Sequence, residues 1–175
     1  MEDCRIGTVA DPRGRVNRAA CRGKSSPLLS TSMPWHPMVI HFPIALLTAA
    51  VVVDVVALLR ARTNWHRQAY VLLVVGTLGA AAAVVSGNAD ATLFRQGGMA
   101  ADIQDHEDLG TVTFLLFLLV VLGRLPGILR PAVAAKRMWL WVLIGSAGLV
   151  LLYFTSYHGG ELVYTHGVGV SESAQ

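Results

Sequence analysis

The stretch His36–Leu59, HPMVIHFPIALLTAAVVVDVVALL, decides the fold. From Met38 to Leu59 it holds a single charged residue, Asp54, and a helix of that length spans roughly 30 Å, the thickness of a bilayer's hydrocarbon core. Three further apolar runs follow, Ala69 to Val85, Leu109 to Leu122 and Met138 to Tyr157, each set off by polar residues. Hydrophobic residues make up 54% of the 175 and charged residues 14%, a balance that belongs to an integral membrane protein. The expected fold is an all-α membrane protein of four spans in an up-down-up-down bundle. The third run is the shortest, and it spans if His106 to Asp108 lie near the headgroups at one end and Arg124 snorkels at the other.

Orientation follows from the connections. Arg60, Arg62 and Arg67 lie between runs one and two, and Arg124, Arg130, Lys136 and Arg137 between runs three and four, with no acidic residue in either link. Positive loops stay cytoplasmic. The connection from Ser86 to Asp108 instead carries Asp90, Asp102, Asp105, Glu107 and Asp108 against Arg95 alone, so that face and both termini are expected outside, on the periplasmic side. Trp35, Tyr153 and Tyr157 mark the outer interface, and Trp65, Tyr70, Trp139 and Trp141 the inner one. The basic loops read as topology determinants, not as a nucleic-acid surface.

Residues 1–32 fit this poorly, because Arg5, Arg13, Arg15, Arg18, Arg22 and Lys24 oppose export. They lack the apolar core of a signal peptide. The segment reads as a disordered extension or an early start, with Met33 the favoured beginning; residues 33–170 form the membrane domain and 171–175 a disordered tail. Cys4 and Cys21, the two cysteines, form neither a CxxCH haem-attachment motif nor a paired CxxC.

Within the spans, Gly79, Ala83 and Gly87 on run two, Ala45 and Ala49 on run one, and Gly145 and Gly148 on run four allow close helix approach. Gly87 is expected to end the second helix, and Gly159–Gly160 to break the fourth.

The chemistry gathers at the outer face. His36, His41, His106, His158 and His166 all fall at the ends of apolar runs on that side. Imidazoles from different helices of a bundle can ligate haem iron or complete a metal shell. His41, His106 and His158 are the expected ligands of a haem b or another metal, with His36, His166, Asp90, Glu107 and Glu161 supporting or covering the site. His36 and His41 lie roughly 140° apart on an ideal helix, so at most one faces inward. Any one histidine could equally cap a helix or bond a loop. Asp54 is read as an ion-pair partner of Arg60, Arg67 or Arg124, with a proton relay as the alternative, and His66 as a solvated loop residue.

Zinc-protease, EF-hand and nucleotide-loop patterns are all missing, which argues against an independent catalytic activity. Three functions remain: an electron-transfer module passing electrons between a membrane donor and a periplasmic redox partner, a metal-binding or proton-conducting transporter element, and an accessory subunit of a larger complex.

The segments HPMVIHFPIALL (36–47), SGNAD (86–90), HEDLG (106–110) and YHGGELVYTHGVGV (157–170) resemble the bacterial membrane family known as domain of unknown function 2231. The resemblance covers about Met33 to Val170. It implies a four-span bundle in a bacterial inner membrane and supplies no activity, although the occurrence of some relatives beside cytochrome c domains leans toward electron transfer.

Overall fold

The computed structural model describes residues 9–10, 16–17, 36–94, 100–129 and 137–165. The chain divides into two units, Met1–Met33 and Pro34–Gln175. Within the first, β1 (Val9–Ala10) pairs antiparallel with β2 (Val16–Asn17), Val9 opposite Asn17 and Ala10 opposite Val16.

The second unit is helical in all its described elements: α1 (His36–Val39), α2 (His41–Leu59), α3 (Thr63–Phe94), α4 (Ala100–Leu129) and α5 (Met138–Tyr164). The last four are long and apolar enough to cross a membrane. They pack as a ring in chain order, α2 beside α3, α3 beside α4, α4 beside α5 and α5 beside α2. This is the expected up-down-up-down bundle, in which α2 and α4 face each other across the diagonal.

The ends of the helices differ from the expected ones. Gly87 does not stop α3, which runs on to Phe94; α4 begins at Ala100, several residues before the apolar run; and α5 passes through Gly159 and Gly160 to Tyr164. Packing overrides the helix-breaking tendency of glycine, because Gly87 and Gly159 each lie against a histidine ring from another helix. With 32 residues in α3 and 30 in α4, each of these helices is over 40 Å long and overruns the roughly 30 Å of hydrocarbon. At least one end of each therefore projects past the hydrocarbon.

Each helix buries one stripe, mostly at three- or four-residue steps. On α2 the stripe is Pro43, Leu47, Ala50, Val51, Asp54 and Ala57. On α3 it runs His66, Ala69, Leu73, Thr77, Ala80 and Ala83, on α4 Ile103, Thr113, Phe117, Val120 and Arg124, and on α5 Val142, Gly145, Gly148, Leu152, Thr155 and Leu162. A period near 3.5 is that of left-handed bundles. The core centres on Leu47, Leu73, Phe117 and Val120, all at most 1% exposed, and Gly148 admits the Phe117 ring. Val52, Val71, Leu78, Val85, Leu119, Leu143 and Val150 point outward. A surface this apolar around an interior holding Asp, His, Arg and Thr is stable only with lipid outside.

At the arginine-rich end α2 closes in a Schellman turn. The Arg62 N–H bonds the Ala57 carbonyl at 2.9 Å, and Ala61 takes the left-handed conformation, φ 50°, that usually falls to glycine. Trp65 and Trp139 are exposed at this end and Tyr153 and Tyr157 toward the other, as expected of interfacial belts, whereas Tyr70 and Trp141, expected in the inner belt, are half-buried against the core, and Trp35 lies outside the described residues. Arg124 does not snorkel outward; its side chain is 1% exposed and turned into the bundle.

Candidate functional site

At the histidine end, α1 continues the line of α2 after a break at Ile40, and the backbone bonds Ile40 N–H to His36 O and Ile44 N–H to Ile40 O keep the two segments nearly coaxial. This puts His36 in register with Ile40, Pro43 and Leu47 on the buried stripe, and turns His41 away from it. His41 is exposed and His36 is half-buried.

The His36 ring packs against Gly87 of α3, where a Cβ would come within 3.0 Å of its Cε1. Its Nδ1 lies 2.9 Å from the Ala83 carbonyl and 3.3 Å from the Ser86 hydroxyl. Donation of Nδ1–H to a backbone carbonyl fixes the tautomer and leaves the lone pair on Nε2. Across the bundle, His106 of α4 meets it with ring centroids 6.2 Å apart and planes at 79°. His106 is held by Gly159 of α5, where a Cβ would lie 2.8 Å from its Cε1, and the Thr155 backbone offers the ring a hydrogen bond. The His106 Nδ1 is buried with no hydrogen-bond partner.

His158 is one position away from Gly159 and faces elsewhere. It sits edge-on to Phe154 with centroids 4.6 Å apart, and its Nδ1 is 3.5 Å from Glu161. It lines a shallow cleft between α4 and α5 with Asp102, Asp105, Glu161 and Leu162. Glu107, next to His106, is half-buried. His166, the 171–175 tail and the Asp90 side chain lie outside the described residues.

Of the three expected ligands, then, His106 faces the interior, His41 and His158 do not, and the histidine that meets His106 is His36. Among the described residues no group of three or more His, Cys, Asp or Glu side chains is poised to hold a metal ion. A structural zinc site draws four ligands from the protein. Haem iron takes four from its own macrocycle and needs only two axial ligands. A pair of imidazoles from different helices, one with Nδ1 anchored to a carbonyl and the other with an unpartnered nitrogen, is a donor set that fits the second requirement.

A second polar cluster lies about 27 Å along α4 from His106, counted over the 18 residues to Arg124. Arg124 donates from Nη1 to Oδ2 of Asp54 and from Nη2 to Oδ1 at 3.1 Å, and also from Nη2 to the His66 carbonyl at 2.9 Å. The His66 Nδ1 donates to Asp54 Oδ1 at 2.8 Å. The guanidinium stacks over Tyr70, 5.5 Å from the ring centroid. Of the three arginines expected as partners for Asp54, Arg124 is the one engaged. His66 is not solvated: it is the fourth residue of α3, and burying it satisfies the carboxylate.

Residues 32–172 match the family model described as a predicted membrane protein, DUF2231. The chain belongs to this family. The match takes in both polar clusters and all four membrane helices of this DUF2231 protein. Neither a curated protein nor a solved structure matches the chain.

Proposed function

We propose that this DUF2231 protein is a haem b electron-transfer module of the bacterial inner membrane, its haem held by His36 and His106 at the outer end of the bundle. The observation that carries the reading is the approach of these two imidazoles from opposite helices, each backed by a glycine. Glycine behind a ring leaves it room to turn toward a ligand, where any larger residue would pin it. Charge supports the direction of the site: the arginine-rich loops at the other end favour the cytoplasm, so the histidine pair faces the periplasm and a soluble redox partner there. In this reading His41, His158, Glu107 and Glu161 tune access and charge around the pair and ligate nothing.

The test is an optical spectrum of detergent-purified protein from haem-replete cells. A Soret band and a reduced α band are expected in the wild type, in H41Q and in H158Q, and are expected to disappear in H36Q and H106Q. A wild type without either band, or bands that survive both H36Q and H106Q, would overturn the proposal.

A further inference from the structure

We propose that the arginine-rich end of the bundle is a docking surface for the phosphate headgroups of anionic phospholipids, built from Arg60, Arg62, Arg67 and Arg137. It lies at the opposite end of the helices from the histidine pair and does not depend on it. Among the described residues at this end Asp54 is the only acidic side chain, and it is occupied from within the bundle by Arg124 and His66. The other four arginines are exposed, and none has a carboxylate partner among the described residues. Four positive charges therefore stand outside the bundle with nothing of its own to neutralise them. The preference of basic loops for the cytoplasm accounts for their sign. It says nothing of what faces them once the chain is inserted.

Their depth is that of the headgroup layer. On α2 and α5, which are antiparallel neighbours, Val51 meets Gly145, 3.7 Å from the position a Cβ would take there. Seven residues on toward the arginine-rich end, α2 reaches Leu58 and α5 reaches Met138, so Arg60 and Arg137 share a layer just past the last apolar turns. On α3, Gly76 lies against Leu47 of α2. Arg67 is nine residues from Gly76 whereas Arg60 is thirteen from Leu47, which leaves Arg67 roughly 6 Å nearer the middle of the membrane. Arg67 also shares the exposed face of α3 with Val71, Val75 and Leu78, the face turned to lipid. Its apolar stem lies along hydrocarbon while its guanidinium turns back to the phosphates.

The apolar residues interleaved with the arginines decide the occupant. Leu59 is 80% exposed and Trp139 57%, and Trp65 and Val71 are exposed as well. A free anion would engage the guanidiniums and leave this surface bare, and an acidic protein would have to displace lipid from Val71. A phospholipid covers both, its phosphate accepting paired N–H bonds from an arginine fork while its chains cover leucine, valine and indole. Basic clusters beside membrane helices attract anionic lipid in this way.

The experiment is tryptophan quenching of the full chain reconstituted in phosphatidylcholine bilayers with a small fraction of brominated lipid, either phosphatidylglycerol or phosphatidylcholine. Trp65 and Trp139 lie at this end and report the lipid beside it. Brominated phosphatidylglycerol is expected to quench as though enriched roughly fivefold at the protein, the scale of one basic side chain at an anionic surface. The enrichment is expected to fall to near equality in R60Q/R62Q/R67Q/R137Q. Because these arginines also set topology, R67Q alone, which leaves the loop charges in place, is measured beside it and is expected to lose about half of the enrichment. Soluble glycerol phosphate, added as competitor, is expected to change nothing. Equal quenching by the two lipids in the wild type, enrichment undiminished in either variant, or displacement by glycerol phosphate would overturn the proposal.

Discussion

Arg124 grips both carboxylate oxygens of Asp54 across the diagonal of the bundle, joining two helices that are not neighbours in its ring. Both side chains are almost wholly buried, so the penalty for stripping them of water is offset only while each has the other. Arg124→Leu is expected to cost roughly 3–5 kcal/mol, because Asp54 would be left charged and buried beside His66 alone. Asp54→Leu is expected to cost a similar amount. The double variant should be far closer to wild type than the sum of the two, and unfolding in mixed detergent micelles measures all three. Strictly additive losses would mean that the pair contributes nothing as a pair.

The turn that brings His66 under Asp54 carries its own strain. Ala61 occupies the left-handed position of the Schellman turn, where a Cβ costs about 1–2 kcal/mol, and it is exposed, so its methyl packs against nothing that repays this. Ala61→Gly removes that cost and adds back about 0.5–1 kcal/mol of unfolded-state entropy. A gain of up to about 1 kcal/mol in the same unfolding assay is the expected outcome. A loss of stability would show that the turn is not under strain.

The four spans could be read from length and apolarity alone, since hydrocarbon thickness leaves few alternatives for runs of this kind. The seam positions were also present in the spacing. On α4 the buried stripe continues through His106 and Gly110 in steps of three and four, and on α5 it passes through Gly159 and skips His158; on α3 it begins at His66. Counting back from Leu47 by four, three and four reaches His36 and passes over His41. Depth in the membrane says which residues share a layer, and only the heptad register says which share an interior. The pairing of His36 with His106 and of Asp54 with Arg124 needed more: both are diagonal contacts, and which helices face across the bundle depends on how the ring closes.

Between the clusters and nearer the histidine pair, the Thr113 and Thr155 hydroxyls meet at 3.1 Å while each also donates to a carbonyl one turn back on its own helix, Leu109 and Leu151. A hydroxyl proton cannot serve both acceptors at once, so the interhelical bond competes with the local ones. Thr113→Val is therefore expected to cost only about 0.6 kcal/mol, and no more than about 1.7, the range for interhelical hydrogen bonds in membranes. A loss of several kcal/mol on unfolding would show that these threonines hold α4 and α5 together.

Gly159 and Gly160 are adjacent on α5 and are expected to respond oppositely to the same substitution. A Cβ at Gly160 meets nothing within 4 Å, so Gly160→Ala gains the helix propensity of alanine, about 0.5–1 kcal/mol. A Cβ at Gly159 would lie 2.8 Å from His106 Cε1, closer than carbon atoms approach, and would push the ring toward His36 or out of its slot. The ring is the end of a flexible side chain, so the helix should survive Gly159→Ala at a cost of about 1–3 kcal/mol, the usual range for overpacking. What should not survive is the ring geometry. Thermal unfolding of both variants, with the His106 ring resonances followed in parallel, separates the two effects: Gly160→Ala should raise stability and leave the resonances in place, and Gly159→Ala should lower stability and shift them. Equal behaviour of the two variants would mean that His106 does not occupy the slot beside Gly159, and that the imidazole pair on which the proposed function rests is not formed.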